Sequence, residues 1–476
     1  MDQQVLRDTI STIWDQRILP SLAEFVRIPA VSAAYDSAWR EHGQLRQAAE
    51  HLADWVRRQD LTGATVEIVQ HDDLAPLVLV EIPATPGVTS DETALLYGHL
   101  DKQPPFEGWS DGLGPWEPVR RGERLYGRGS ADDGYAGYAA IAAVSASEAA
   151  GGEHCRIVVL LETGEESGSP DLPGHLVRLK DRLGRITLVT CLDSGGGDFE
   201  RLWLTRSLRG VLQATLTVSI LDKAVHSGIA SGVVPSSFRI MRVLLDRLED
   251  ALTGRILLPE MNPEIPAECV TAAKELAKLN AGASLRPLSL VSGARPTSDD
   301  EAERVLNNTW RPTLSIIGAS GMPDVSTAGA VLRAGTSLRL SFRLPPTANA
   351  MAAVAAVERL TTTDVPYGAQ ATLTEVIAQD GWYAPETPPW LASTLDEVGD
   401  RVFGEPHQYI GLGGGIPFMQ MLGTAYPESA FLVTGAIGAD SNMHVPDEWL
   451  HIPFARRVTE AVAHVLVAHA RQAARR

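Results

Sequence analysis

The chain has 476 residues, 44% hydrophobic and 21% charged, which excludes a disordered, collagenous or low-complexity polypeptide and predicts two or three domains with a sizeable core. Its 41 lysines and arginines stand against 59 aspartates and glutamates, and the net charge of −18 gives no electrostatic support for binding a nucleic-acid backbone. Cys155, Cys191 and Cys269 are too few and too scattered for a disulfide framework or a thiolate zinc site, so a reducing compartment fits best. The first residues are amphipathic and charged, and no run of 18 apolar residues occurs, so a cytoplasmic protein with no membrane partner is expected.

In chain order, residues 2–27 and 44–58 carry apolar positions at helical spacing, as in Leu45, Ala48, Leu52 and Trp55. Strands are predicted at 65–69, 77–82, 94–98, 156–162 and 186–192, with a small-residue helix at 134–149 and a helical stretch before residue 186. That alternation predicts an α/β fold, a mostly parallel sheet flanked by helices. Near residue 208 the pattern changes to a half-exposed strand at 210–220 and a helix at 236–252. Residues 253–311 read as loops and short helices. Strands follow at 314–317, 337–344 and 370–376, with a helix at 348–360, the pattern of a small α+β domain inserted into the first. The α/β pattern returns with a helix at 389–402, a strand at 430–434 and a final helix at 453–474. The expected division is therefore 1–207 and 383–476 for one domain and 208–382 for the insert.

No Walker loop, GxGxxG, GxSxG or HExxH is present, so nucleotide binding, elbow-serine hydrolysis and zincin chemistry lack their usual signatures. What stands out is a series of histidines and carboxylates just beyond predicted strands, where an open α/β sheet forms its ligand crevice. His99 and Asp101 follow the first such strand; at i and i+2 they share a face, so Asp101 can accept from one imidazole nitrogen while the other binds metal. Read alone, the pair is also compatible with a strand-end histidine beside a solvated aspartate. Asp132-Asp133 sits in a glycine-bounded loop that opens a helix, where carboxylates also serve as caps. Glu165 and Glu166 follow the apolar strand 157–161, in a burial that is costly without positive compensation unless the loop lies on the surface. Asp193 ends another strand, and His444 lies ten residues past Thr434. Together these make a mixed nitrogen and oxygen set of the kind zinc accepts without thiolates.

The segments YGHLDKQP (97–104), LYGRGSADDG (125–134), EESGS (165–169), HSG (226–228), SFRL (341–344) and GGGIP (413–417), with Asp193 and His444, resemble the M20 family of di-zinc metallopeptidases, in particular its dipeptidase and carnosinase-like branch. The resemblance spans nearly the whole chain. It implies a zinc exopeptidase-like catalytic domain carrying an inserted α+β lid and dimerisation domain, and a homodimer through that lid. It further implies two Zn²⁺ per subunit, with Mn²⁺ or Co²⁺ as substitutes: His99, Asp132 and Asp193 on one ion, Asp132, Glu166 and His444 on the other. Two such ions and three carboxylates leave one positive charge, which a hydroxide cancels, so the buried cluster avoids a large desolvation cost. By the same resemblance Glu165 is the general base, Asp101 orients His99, and His226 helps stabilise the oxyanion, often across a dimer interface. Arg343 and the Gly413, Gly414 and Gly415 loop would hold a substrate carboxylate, a task that suits the planar guanidinium fork. Without the resemblance Arg343 reads as a surface strand residue and His226-Ser-Gly as a turn.

The chain departs from the family it resembles in two places: Asp133-Gly134 stands where many members have a lysine after the paired position, and the carboxylate-binding loop reads Gly-Gly-Gly-Ile-Pro where carnosinase-like members often place a serine. The expected activity is hydrolysis of a dipeptide or small peptide with a free C-terminal carboxylate. An N-acyl or N-carbamoyl amino-acid amidohydrolase is the alternative within the same chemistry, and a non-catalytic binding protein that keeps the fold is the alternative of another class. The histidines outside these motifs are read as structural or surface residues.

Overall fold

A computed structural model describes residues 1–71, 74–282, 284–286, 288–438 and 440–475. Its central sheet has six strands, in the spatial order Thr65–Val69, Leu77–Ile82, Arg156–Glu162, Glu92–His99, Arg185–Cys191 and Ala430–Val433. The last four are mutually parallel, and the first two attach antiparallel. The sheet is thus mostly parallel, as its alternation with helices predicts. The inner strands are largely apolar because both faces are covered: Ala94, Leu96, Ile157 and Val159 enter one core while Leu95, Tyr97, Val158 and Leu160 enter the other.

The first core is closed by helices Gln3–Ile13, Gln44–Arg57, Ala136–Ala149 and Ile452–Ala473, and the second by Leu172–Leu183 and Pro417–Ala425. Ala136–Ala149 is buried on nearly every side, which explains its small residues: a Cβ on Gly137 would lie 2.6 Å from Leu52 and 2.8 Å from Leu161. Among the described residues no helix is long and apolar enough to cross a membrane.

A second, four-stranded antiparallel sheet runs in the order Thr313–Ser320, Gly335–Leu344, Gly210–Ser219, Gln370–Gln379. Its inward residues, Leu212, Leu216, Leu340 and Phe342 among them, pack on helices Ser237–Leu245 and Ala350–Thr362 around a core of their own. The predicted helix 236–252 stops at Leu245. The reason is local competition: the Asp250 carboxylate accepts the N–H groups of Leu252 and Thr253, and the Arg247 guanidinium donates to the carbonyls of Leu360, Thr363 and Asp364. Among the described residues of 253–311 lie a 3-10 turn at Pro259–Met261 and the α-helices Ala267–Leu279 and Glu301–Thr309. Trp203–Leu208 and Gln408–Leu412, which periodicity did not single out, form a parallel pair whose members lie about two hundred residues apart.

The chain passes twice, side by side, between this four-stranded sheet and the short sheet that Trp203–Leu208 forms with Gln408–Leu412 and Trp382–Tyr383, at Leu208–Gly210 and Gln379–Gly381. Here backbone touches backbone: a Cβ on Gly381 would lie 2.6 Å from the Leu208 carbonyl oxygen and 2.9 Å from the Gly210 nitrogen. Gly381→Ala is therefore expected to destabilise the fold by about 1–3 kcal/mol, the usual range for overpacking. An unchanged urea midpoint would show that the two crossings can part without loss.

Candidate metal centre

Three adjacent parallel strands end on one edge of the central sheet, and the loops that leave them converge. His99 closes the Glu92–His99 strand and is fully buried. Its Nδ1 lies 3.0 Å from the Asp101 carbonyl oxygen and 3.5 Å from Asp101 Oδ1. Its Nε2 therefore faces the cavity, 3.2 Å from Asp132 Oδ1 and 3.9 Å from Asp193 Oδ1. The main-chain oxygen of Asp101 is thus nearer the imidazole than its carboxylate, which has other work. It accepts the Ser32 hydroxyl at 2.6 Å and the N–H groups of Glu165 and Glu166 at 3.2 and 3.0 Å. In this way Asp101 ties His99 to the Glu165–Ser167 turn.

The two neighbouring aspartates do different things. Asp133 Oδ2 accepts the His99 N–H at 3.2 Å and staples the loop to the strand, an approach only Gly98 permits, since a Cβ there would lie 2.7 Å from that oxygen. Asp132 points into the cavity, with Oδ1 toward His99 and Oδ2 2.9 Å from His444 Nε2. Glu166 Oε2 lies 3.3 Å from the same histidine nitrogen and accepts from Gln103 Nε2 at 2.5 Å. His99, Asp132 and Asp193 form one group whose ligand atoms lie within 4.8 Å of one another; Asp132, Glu166 and His444 form a second that shares Asp132.

The electrostatics follow from this crowding. Burial, followed by neighbouring carboxylates, raises Asp193, Glu165 and Glu166 well above the ordinary carboxylate range. Burial acts on Asp132 in the same direction, but hydrogen bonds from His444 and His99 outweigh it and hold that group low. The imidazoles respond inversely: burial alone would lower His444, yet Asp132 and Glu166 bring it up to about 9.

Sequence reasoning missed the residues that hold the loops. Glu448, fully buried, accepts the N–H groups of Gly129, Ala131 and Asp132 through Oε1 at 3.0–3.2 Å, and its Oε2 meets Arg128 Nη1 at 2.6 Å. Lys102, also buried, donates to the carbonyls of Phe25, Val26 and Ile28, and burial takes its ammonium well below the usual range. Arg209 donates to the Gly413 carbonyl at 3.1 Å, and burial together with Arg343 lowers its guanidinium to about 10. An acidic residue next to the buried Trp449-Leu450 was the one sequence cue for Glu448.

A cavity of about 690 Å³ opens over the cluster, lined by Asp132, Glu165, Asp193, His444, the Gly413–Gly415 loop and an apolar wall that includes Leu208, Ile410 and Leu412. Among the described residues lining it, neither Arg343 nor His226 is present. Arg343 is exposed on the Gly335–Leu344 strand; His226 is exposed, and its Nδ1 accepts from the Gly228 N–H at 3.1 Å.

Residues 95–468 match Peptidase family M20/M25/M40, and the chain belongs to that family. It is 28% identical over 302 residues to the Beta-Ala-His dipeptidase of Mus musculus, an alignment covering 62% of this chain and 60% of that protein. Its fold is shared with human carnosine dipeptidase 1, at 24% identity and a TM-score of 0.73 over 98% of this chain and 99% of that one. The di-peptidase Dug1p of Saccharomyces cerevisiae has the same fold, at 22% identity and a TM-score of 0.75 over 98% of both chains.

Two tests probe this architecture. Glu448→Ala leaves the Arg128 charge buried and unpaired, so about 3–5 kcal/mol of stability should be lost, read by chemical denaturation; a loss under 1 kcal/mol would remove the clamp from the argument. The second concerns Glu162, buried beneath the cluster, which accepts from Tyr97 Oη at 2.6 Å and Ser169 Oγ at 2.8 Å and is raised, chiefly by burial, to about 7. Its unfolded value lies near 4.5, so between those pH values the folded state holds the extra proton and stability declines as pH rises. In metal-depleted protein, Glu162→Gln should remove up to about 3 kcal/mol of that decline between pH 4.5 and 7. Parallel stability curves for the two proteins would contradict it.

Proposed function

We propose that the protein is a metal-dependent hydrolase that cleaves the amide bond of a dipeptide or small peptide with a free C-terminal carboxylate. The observation that carries the reading is the pair of donor groups sharing Asp132, two histidine nitrogens and three carboxylates within reach of one another at the floor of an open cavity. The donors fit two divalent cations. Burial, and after it the neighbouring carboxylates, raises the proton affinity of Asp193 and Glu166, and cations bound among these groups would offset both the burial and the repulsion. Imidazole and carboxylate without thiolate suit Zn²⁺, and also admit Mn²⁺ or Co²⁺. His99, Asp132 and Asp193 would hold one ion, and Asp132, Glu166 and His444 the other. Bound there, the ions supply a water of lowered pKa and polarise the scissile carbonyl.

The remaining work belongs to the chain. Glu165 lines the cavity beside the cluster, and its raised affinity for a proton suits it to take one from the attacking water and return it to the departing amine. The Asp101 carboxylate holds the turn that presents Glu165 and Glu166. The Gly413–Gly415 loop leaves room for the substrate's terminal carboxylate. Residues 208–382 act as a lid and dimerisation domain, bringing Arg343 and His226 to the substrate on closure or from a second copy. The kinship with Beta-Ala-His dipeptidases favours peptides over N-acyl or N-carbamoyl amino acids. Three thiols without disulfide partners suit the reducing cytoplasm.

Metal chelation should abolish dipeptide cleavage and added Zn²⁺ restore it. Glu165→Ala should keep its metal content yet lose at least about two orders of magnitude in kcat, the scale of general acid–base help. Turnover near wild type in that variant would exclude Glu165 as the base, and activity indifferent to chelation would exclude the metal reading.

A further inference from the structure

The cavity above the cluster is acidic: Asp132, Glu165, Asp193 and Asp440 all line it. A substrate carboxylate entering it meets like charge, and before the 208–382 domain brings Arg343 in, neither Arg343 nor Arg209 offers it a guanidinium. Arg343 is outside the lining, and the Arg209 guanidinium is directed at the carbonyls of Gly413, Asn307 and Arg311. Among the described lining residues the single lysine or arginine is Arg286, which comes from the 253–311 stretch that the sequence left without a function.

Arg286 is exposed at the cavity rim, and hydrogen bonds tether it there. Its backbone N–H donates to the Gly282 carbonyl at 3.1 Å, and the preceding Ser284 is fixed by Glu301 and Arg304. Its Nη2 donates to Asn280 Oδ1 at 2.7 Å, and Asn280 Nδ2 donates in turn to the Gly197 carbonyl, four residues past Asp193. The tether links the guanidinium to the segment that carries a cluster carboxylate, while Nε and Nη1 make no hydrogen bond among the described residues and stay available for a planar anion.

We propose that Arg286 is a specificity-determining residue that binds a carboxylate of the substrate within the cavity. The inference rests on the hydrolase reading for the nature of the ligand. The carboxylate is either the peptide's terminus or an acidic side chain, and Ala-Ala and Ala-Asp separate the two.

Arg286→Met keeps the aliphatic stem and removes the charge; Arg286→Lys restores a charge. With metal content unchanged, Arg286→Met should lower kcat/KM by about tenfold or more, mainly through KM, and Arg286→Lys should recover part of the loss. A loss on both peptides assigns the terminal carboxylate, and a loss on Ala-Asp alone assigns the side chain. Values within twofold of wild type for both peptides would overturn the proposal, as would a lysine variant no better than the methionine one. If the wild-type protein cleaves neither peptide, the hydrolase reading fails separately. Calorimetric titration of the same peptides into the intact protein then decides: binding weakened tenfold by Arg286→Met supports the role, and equal or absent binding overturns it.

Discussion

Like charges do not gather in a protein interior without something to offset them, and this molecule gathers Asp132, Glu165, Glu166 and Asp193 on one edge of its central sheet. The rest of the site is organised around that repulsion. His99 and His444 interleave the carboxylates, each within hydrogen-bond distance of Asp132, and the two overlapping donor groups have the composition and spacing that divalent cations accept. The apolar sheet beneath supplies the rigidity: strands buried on both faces cannot shift to relieve the crowding, so the carboxylates stay where the loops put them.

The loops themselves are held by buried polar groups that do not line the cavity. Glu448 gathers three backbone N–H groups of the 129–132 turn and is neutralised by Arg128, so the turn that presents Asp132 depends on a residue more than three hundred positions away. Asp101 does the same for the Glu165–Ser167 turn, and Lys102 ties the adjoining segment to the end of the Leu19–Arg27 helix. Burial of the Glu448, Asp101 and Lys102 side chains is tolerable because each has several hydrogen-bond partners, and those bonds fix the geometry of the loops they hold.

The four-stranded sheet has a separate core and continues into the short sheet of 203–208, 382–383 and 408–412 through two adjacent crossings at Gly210 and Gly381. The cavity between the cluster and the Gly413–Gly415 loop carries one apolar wall and, among the described lining residues, a single guanidinium.

Strand and helix placement was legible in the amino-acid order because it follows local periodicity: 65–69, 77–82 and 156–162 have the bounds that alternation and apolar runs indicate, and the final helix differs by one residue at each end. His99, Glu165, Glu166 and Asp193 could be singled out for the same reason, since each closes or follows a readable strand, and Asp132 because it opens a readable helix; His444, ten residues past its strand, was the least local of the set. The Asx turn at Asp250, the pairing of 203–208 with 408–412, the Arg128–Glu448 clamp and the position of Arg286 had no such signature. Their partners are set by how the folded layers meet, and a glutamate beside a tryptophan or an arginine in a polar loop reads as solvated until the opposing chain is in place. Local pattern therefore determined the elements and the chemistry offered at their ends, whereas only the tertiary structure decided which charges face one another, because that depends on distances across chain segments with no shared sequence period.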